Sequence, residues 1–206
     1  TRPDITASVN FISRFMNSPS HELWNAAKNI LRYLKFSKQR PLVLGHLTEN
    51  TIDVYTDSNH GDTQDRKSTS GVLVQLFGSS VAWFSRKQGL VATSSAEAEF
   101  YSLSLGIDEG IWLSRILFEL GEEVSPFRLL CDNQSAIAIF KHGPTQQSKK
   151  IDIRFYHVLD NLKSGTCTIE YVPTKLQLAD CFTKPLKSRM VPVVLEKILG
   201  PERGML

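Results

Sequence analysis

The sequence has few of the residues that cross-link a protein or anchor it in a membrane. Its three cysteines, Cys131, Cys167 and Cys181, form no Cys-x-x-Cys pair, which argues against a zinc site and suits a reducing compartment. No apolar run approaches the roughly 18 residues of a membrane helix, and no signal peptide is recognisable. Because the chain begins at Thr1 and not at Met, we expect a piece of a longer protein.

The composition is that of an ordinary globular protein, with 41% hydrophobic and 22% charged residues among 206. That length is enough for one good core, or for a core with an appendage. The charge is unevenly distributed, since residues 1–50 carry a net charge of +4 and the remainder −1. A basic leading segment is compatible with a polyanionic partner, and a solvated basic helix explains the same charge equally well.

The spacing of apolar residues predicts helices and strands in a mixed order. A helix is predicted at 19–36, started by Ser18-Pro19, and at Ile52 the period changes to the alternation of a strand that closes on Asp57. The further predicted elements are strands 71–78 and 80–87, helix 95–120, strand 127–131, helices 134–140 and 147–163, strand 167–172, and helices 175–184 and 188–199. This order indicates an α/β fold, with a mixed sheet covered by helices.

Acidic residues stand at the ends of two predicted strands. Asp57 closes the first strand, and Asp132 follows the strand that ends in "LLC". The crevice outside the strand ends is the usual ligand site of an open α/β sheet, and clustered carboxylates favour hard divalent ions such as Mg²⁺ or Mn²⁺. Taken singly, each aspartate is also explained by turn chemistry, because Asp is common where strands end.

The long predicted helix carries two glutamates on different faces. Glu97 lies three residues after Ser94, which is the spacing of a capping box. Glu99 shares an apolar stripe with Leu103, Gly106, Gly110, Leu113 and Leu117. Because glycines let a helix approach a sheet closely, we predict that Glu99 is held inward against the strand ends.

Asp180 lies in the helix predicted at 175–184, where Thr174 and Gln177 have the spacing of a second capping box. Its position alone favours an ordinary pair with Lys184, four residues further on.

Seven motifs occur in order along the chain: "YTDSN", "RKSTSGVLV", "WFSRKQ", "SSAEAEFYSL", "LLCDNQSAI", "KKIDIRFYH" and "VPTKLQLADCFTKPL". Through these motifs the chain resembles the ribonuclease H domain of copia-type LTR-retrotransposon Pol polyproteins. The opening "TRPDITASVNFISRFMNSPSHELWNAAKNILRYLK" is similar to the tail of the reverse transcriptase that precedes this domain. The implied division is a helical reverse transcriptase tail at 1–45, a ribonuclease H-like domain at 50–187 and a C-terminal helical tail at 188–206.

The resemblance implies a ribonuclease H-like fold, which is a five-stranded mixed sheet flanked by helices. It also implies four catalytic acids, and these fall on Asp57, Glu99, Asp132 and Asp180. For Asp180 this overrides the simple pair with Lys184. The four carboxylates are expected to hold two Mg²⁺ ions, or Mn²⁺, about 4 Å apart, with Asp57 bridging both. One ion would activate a water molecule, and the other would stabilise the leaving 3′ oxygen.

The implied reaction is cleavage of the RNA strand of an RNA–DNA hybrid during reverse transcription in cytoplasmic particles. The expected partners are the hybrid and the reverse transcriptase domain of the same polyprotein, with no membrane. Shape and phosphate contacts would recognise the hybrid, with candidate groove residues Arg66, Lys67, Ser68, Thr69, Asn133 and Gln134. Candidate phosphate contacts are Arg86, Lys87, Lys149 and Lys150, with Lys28, Arg32 and Lys35 in the leading helix. For each cation, a solvated surface role is equally good.

Two positions depart from the pattern of related enzymes. No histidine follows His157, so the loop before Asp180 lacks the histidine that many related enzymes carry, which suggests slower or differently assisted catalysis. Lys150 stands before "IDIR", where the family often has histidine, and His157 itself is expected to pack against or cap its own helix.

The polymerase motif with paired aspartates is absent from the chain. Two alternatives stay open: a catalytically silent relic module, and a DNA-cutting enzyme of the same fold, against which the motifs argue.

Overall fold

The alternating pattern that begins at Ile52 forms the central strand of a five-stranded sheet in a computed structural model of the chain. The structure describes residues 1–45, 50–61, 65–124, 126–142, 153–184 and 191–201. The strands are β1 Ile52–Asn59, β2 Thr69–Leu76, β3 Ser79–Lys87, β4 Phe127–Cys131 and β5 Cys167–Tyr171. The helices are α1 Thr6–Ser13, α2 His21–Phe36, α3 Ser95–Glu119, α4 Gln134–His142, α5 Ile153–Lys163, α6 Asp180–Thr183 and α7 Val191–Leu199. Short 3₁₀ turns lie at Pro3–Ile5 and Thr174–Leu176.

The sheet is mixed, in the strand order β3-β2-β1-β4-β5. Strands β1, β2 and β3 pair antiparallel, whereas β4 pairs parallel with both β1 and β5. The pairing of β1 with β4 runs from Asp53 opposite Arg128 to Tyr55 opposite Leu130, while β1 continues along β2 as far as Asn59. The two parallel strands therefore separate just before the predicted acids, which is where ligands bind in open α/β sheets.

Helix α3 packs closely on one face of the sheet, together with α4 and α5. The predicted stripe is buried as expected, from Glu99 to Leu117. The two glycines of the stripe make this approach possible: a Cβ on Gly106 would lie 2.5 Å from the Thr56 Cγ2 atom, and one on Gly110 would lie 2.5 Å from the Phe127 ring. Glu97 lies on the other side and caps the helix, because its Oε2 accepts hydrogen bonds of 2.6 Å from the backbone N–H and the hydroxyl of Thr93.

The opposite face of the sheet is covered by α6, α7 and the leading segment. A second apolar cluster there contains Leu73, Leu178, Cys181, Phe182, Val194 and Ile198. The leading segment is tied to the same side, because Asn10 Nδ2 donates to Ser85 O at 2.8 Å and the Val43 N–H donates to Leu199 O at 2.7 Å. Residues 1–45 therefore pack directly on the sheet, and the division of the chain at 45–50 and at 187 stays a prediction, with residue 187 outside the described residues.

The predicted start of the first helix and the predicted hairpin turn are both displaced by about two residues. Helix α2 begins at His21, where Ser20 Oγ accepts from the Leu23 N–H at 3.3 Å, so Pro19 precedes the helix. The hairpin turn consists of Phe77 and Gly78, both at positive φ (52° and 80°). That geometry matches the twist of the flanking strands. Strand β3 therefore begins at Ser79, the residue that lies between the predicted strands 71–78 and 80–87.

The predicted helix at 175–184 is wrong. The chain makes a 3₁₀ turn at Thr174–Leu176, becomes extended at Gln177 (φ −72°, ψ 101°) and forms only the four-residue α6. No side-chain cap forms at this turn, because the Gln177 side-chain amide donates to the carbonyls of Thr56 and Leu130 instead.

Other differences concern the leading end of the chain and the segments outside the described residues. Helix α1 was not among the predicted elements, and residues 147–152 and 188–190 of two predicted helices lie outside the described residues. Within the part that the structure describes, no helix has both the length and the apolarity needed to cross a bilayer.

The close approach of α3 to β1 predicts the effect of Gly106→Ala. Although alanine favours a helix by about 1 kcal/mol over glycine, its Cβ would overlap Thr56 on the central strand. Overpacking of this kind costs about 1–3 kcal/mol, so we expect a lower midpoint of urea unfolding. Gly89→Ala is the matched control, because nothing lies within 4 Å of a Cβ at Gly89. A Gly106→Ala protein as stable as the control would contradict this account of the packing.

Candidate active site

Three of the four predicted acids meet where β1 and β4 separate. Asp57 comes from β1, Glu99 from the first turns of α3, and Asp132 from the residue directly after β4. One carboxylate oxygen of each lies within 4.8 Å of the others. Asp57 and Glu99 are buried, whereas Asp132 is partly exposed. The arrangement therefore forms an acidic crevice that is accessible from the Asp132 side.

Asp180 reaches the edge of this crevice from α6. Its Oδ1 forms an ion pair with Lys184 Nζ at 2.8 Å, and the same ammonium lies 3.9 Å from Asp57 Oδ2. The neighbouring Thr183 hydroxyl donates to Asp57 Oδ2. Asp180 therefore pairs with Lys184, as its spacing in the sequence indicates, and it also lies beside the other acids.

The crowding of these acids changes their ionisation. Burial, reinforced by the charges of Asp57 and Asp132, raises the pKa of Glu99 well above its ordinary value. Burial and the charge of Asp57 also raise the pKa of Asp180, to about 6, although Lys184 acts in the opposite direction. Negative charge in the crevice is therefore under-compensated by the chain's own groups.

The side chains fit a bound divalent cation. Glu99 Oε2 is buried and has no hydrogen-bond partner among the described residues, and such an orphan oxygen is costly unless a ligand meets it. The donor set consists of carboxylate oxygens, which suit hard ions such as Mg²⁺ and Mn²⁺. Asp57, Glu99 and Asp132 are thus the residues that could hold a cation, with Asp180 beside them.

Gln177 is a residue of the site that the sequence did not reveal. It is 1% exposed, and its Nε2 donates to Thr56 O at 3.0 Å and to Leu130 O at 3.3 Å. These carbonyls precede Asp57 by one residue and Asp132 by two. The amide therefore bridges the backbones of β1 and β4 where they separate. The sequence offered only the spacing from Thr174, which indicated a helix cap.

A second contact fixes α3 to the end of β1. The Ser102 hydroxyl donates to Asp57 O at 2.9 Å, and its oxygen lies 2.8 Å from Ser70 Oγ, within hydrogen-bonding distance. Ser102 is fully buried and lies three residues after Glu99. These contacts fix the position of α3 relative to β1, and thereby the distance between Glu99 and Asp57.

The predicted groove residues around the start of β2 divide into two accessible and two buried positions. Arg66 is exposed and Lys67 half-buried, whereas Ser68 and Thr69 are buried. Ser68 Oγ accepts from the Gly61 N–H at 3.3 Å and so helps to hold the loop, while Thr69 Oγ1 accepts from Arg14 Nη2 at 3.3 Å. Of these four residues, the two cations are therefore the accessible ones.

The two predicted groove residues after Asp132 lie at the start of α4. Asn133 Oδ1 accepts from the Ala136 N–H at 3.0 Å and so caps the helix, while Gln134 is exposed. Both residues lie next to Asp132, and their role in binding nucleic acid stays a prediction.

The predicted phosphate contacts are only partly within the described structure. Arg86 is exposed, and Lys87 forms an ion pair of 2.5 Å with Asp65. Lys149 and Lys150 lie outside the described residues. Lys28, Arg32 and Lys35 are on α2.

His157 joins two helices and does not cap its own. Its Nδ1 lies 3.0 Å from Ser104 Oγ, and its Nε2 lies 3.6 Å from Asp108 Oδ1. Both partners belong to α3, so the histidine helps to hold α5 against it.

Comparison with known proteins identifies the family. No family model matches the chain. The retrovirus-related Pol polyprotein from transposon RE2 of Arabidopsis thaliana is 36% identical over 190 residues, which are 90% of this chain and 13% of that protein. The one from transposon TNT 1-94 of Nicotiana tabacum is 36% identical over 186 residues, 89% of this chain and 14% of that protein. The chain therefore belongs, as a segment, to the family of retrovirus-related Pol polyproteins of transposons, and it spans only 13–14% of the length of these relatives.

The chain also has a partial relative of another kind. The secreted RxLR effector protein 161 of Plasmopara viticola is 39% identical over 115 residues, which are 55% of this chain and 81% of that protein. The transposon relatives match about nine-tenths of this chain, a length that must reach into residues 1–45. The prediction of a retrotransposon Pol polyprotein is therefore confirmed.

Solved structures identify the fold of the chain. The LC11-RNase H1 isolated from compost has a TM-score of 0.52 at 15% identity, covering 66% of this chain and 94% of that one. RNase H1 from Halobacterium salinarum has a TM-score of 0.51 at 12% identity, covering 65% and 94%. At such identities the likeness concerns the fold alone, and it confirms the predicted ribonuclease H-like fold.

The buried charge predicts that Glu99→Gln stabilises the metal-free chain. The raised pKa means that folding favours protonated Glu99, so wild-type stability falls as the pH rises above the ordinary glutamate value of 4.5. Glutamine carries no charge and can donate to the neighbouring acids. In EDTA we expect a melting temperature about 2–4 °C higher at pH 7, corresponding to roughly 1 kcal/mol, and no difference at pH 4. Glu119→Gln, on an exposed residue, is the control. A gain that is equal at both pH values would refute repulsion as its cause.

The bridge between the strands predicts the effect of Gln177→Leu. Loss of the amide leaves two buried carbonyls without this donor and costs about 1–3 kcal/mol. Gln75 is the matched control: it is 5% exposed and its Nε2 donates to Ser80 Oγ and Lys197 O at 3.3 and 2.8 Å, away from the acids. We expect both leucine variants to unfold at lower urea, but only Gln177→Leu to lose most of the stabilisation that added Mn²⁺ gives the wild type. Equal responses to Mn²⁺ would show that Gln177 does not position the acids.

Proposed function

We propose that this segment is the ribonuclease H of a retrotransposon Pol polyprotein, and that it cleaves the RNA strand of RNA–DNA hybrids with the help of divalent cations. The observation that carries the proposal is the convergence of Asp57, Glu99 and Asp132, with oxygens within 4.8 Å, and the orphan Glu99 oxygen among them. Membership of the Pol polyproteins and the ribonuclease H-like fold support it. Cytoplasmic particles, where reverse transcription takes place, are the proposed location.

The acids of the crevice would hold the cations. Asp57, Glu99, Asp132 and Asp180 are proposed as ligands of two Mg²⁺ ions, or Mn²⁺, which when bound supply an activated water and neutralise charge on the leaving 3′ oxygen. Asp57 is the central acid, because Thr183 orients its carboxylate and Ser102 and Gln177 fix the backbone around it. Burial of Glu99 keeps bulk water away from the inner side of the crevice.

The accessible polar residues around the crevice are proposed to bind the hybrid. Arg66 and Lys67 lie in the loop that precedes β2, and Asn133 and Gln134 directly follow Asp132. Contacts of this kind read the width of the minor groove, the 2′-hydroxyls and the phosphates, and carry little sequence information. We therefore expect cleavage to depend weakly on sequence.

Cleavage of a labelled hybrid in Mg²⁺ tests the proposal. We expect the wild-type chain to cut the RNA strand of a hybrid, and to cut neither the DNA strand nor duplex DNA. Asp132→Asn should lower the rate at least about 100-fold, because changes behind a metal ligand alone cost 10–100-fold. Asp160→Asn, on an exposed acid of α5, should cleave like the wild type.

Two results would overturn the proposal. If the folded wild type yields no product from the hybrid and Asp57→Asn is equally silent, the chain is a non-catalytic module of this fold. If duplex DNA is cut instead of the hybrid, the chain is a DNA nuclease.

A further inference from the structure

A lysine of the chain itself faces the acidic crevice. Lys184 ends α6, where its N–H donates to Asp180 O at 3.1 Å. Its side chain turns back over the same helix, so that Nζ lies 2.8 Å from Asp180 Oδ1 and 3.9 Å from Asp57 Oδ2. The ammonium therefore lies close to Asp180 and to Asp57, which is one of the three clustered acids.

The surroundings of this lysine differ from those of an ordinary ion pair. An exposed i, i+4 pair joins two residues of one helix, whereas this ammonium lies near acids of both α6 and β1.

We propose that Lys184 is a built-in counter-ion that competes with divalent cations for Asp57 and Asp180. The inference rests on the proposed function, since it concerns the same metal site. A carboxylate oxygen that faces an ammonium at 2.8 Å must give up that pair before it binds a metal ion. The positive charge also repels an arriving cation. Both effects lower metal affinity, while the pair limits repulsion among the acids when no metal is bound.

Titration of Mn²⁺, followed by the loss of free-ion electron paramagnetic resonance signal, tests the inference without nucleic acid. A positive charge within about 4 Å of the ligand oxygens repels a bound cation more strongly near a protein surface than in water, so we expect Lys184→Met to bind Mn²⁺ about tenfold more tightly. Lys184→Arg keeps the charge and should bind within about twofold of the wild type. Lys175→Met, on an exposed lysine of the preceding 3₁₀ turn, should not differ from it.

Two further measurements separate competition from a merely structural role. Because Lys184 is 44% exposed, the gain in affinity should shrink as salt is raised. In EDTA, Lys184→Met should melt below the wild type, and saturating Mn²⁺ should remove that difference. A structural role would lower the melting temperature with and without metal and would not tighten binding.

The outcomes distinguish this inference from the function on which it rests. If the wild type binds Mn²⁺ and folded Lys184→Met binds equally or more weakly, Lys184 does not compete, and the proposed metal site stands. If neither protein binds Mn²⁺, both the inference and the metal site are overturned. Tighter binding by Lys184→Met and unchanged binding by Lys184→Arg support the inference.

Discussion

The separation of β1 from β4 is the constraint on which the rest of the site depends. Their parallel pairing ends at Tyr55 and Leu130, and beyond this point each strand presents backbone carbonyls and an aspartate to the same crevice. Unpaired carbonyls inside a protein are costly, and the Gln177 amide meets two of them. The separation therefore persists in the folded chain, and it leaves room between Asp57 and Asp132 for a ligand.

The crevice concentrates negative charge at the expense of stability. Glu99 has a raised pKa because it is buried beside other acids, and its Oε2 lacks a partner among the described residues. The surrounding groups limit the cost without removing it: the Thr183 hydroxyl donates to Asp57, and Lys184 pairs with Asp180. Such incomplete compensation is expected where a site is arranged for a ligand and not for stability alone.

Local patterns predicted the sheet and the long helix, because their signals lie within each element. The period of two gave β1, and the helical stripe separated the inward Glu99 from the capping Glu97. The same kind of local signal failed at Gln177, because its partners, Thr56 and Leu130, are 121 and 47 residues away along the chain. Their hydrogen bonds override the capping spacing from Thr174 and hold the segment extended. For Asp180 the residues alone favoured the pair with Lys184, and only the family resemblance indicated its place beside the acids.

The leading segment is coupled to the crevice through α6. Helix α1 contacts both β3 and α6, and Arg14 Nη2 donates to Thr69 Oγ1 at 3.3 Å, at the start of β2. Helix α6 in turn carries Asp180 and the Thr183 that orients Asp57, and a Cβ on Gly71 of β2 would lie 2.8 Å from Ala179 O, so α6 has little freedom to shift on the sheet. A displacement of α1 would thus be transmitted to two groups of the crevice. The packing of residues 1–45 on α6 and β3 therefore supports the proposed nuclease site from the opposite face of the sheet.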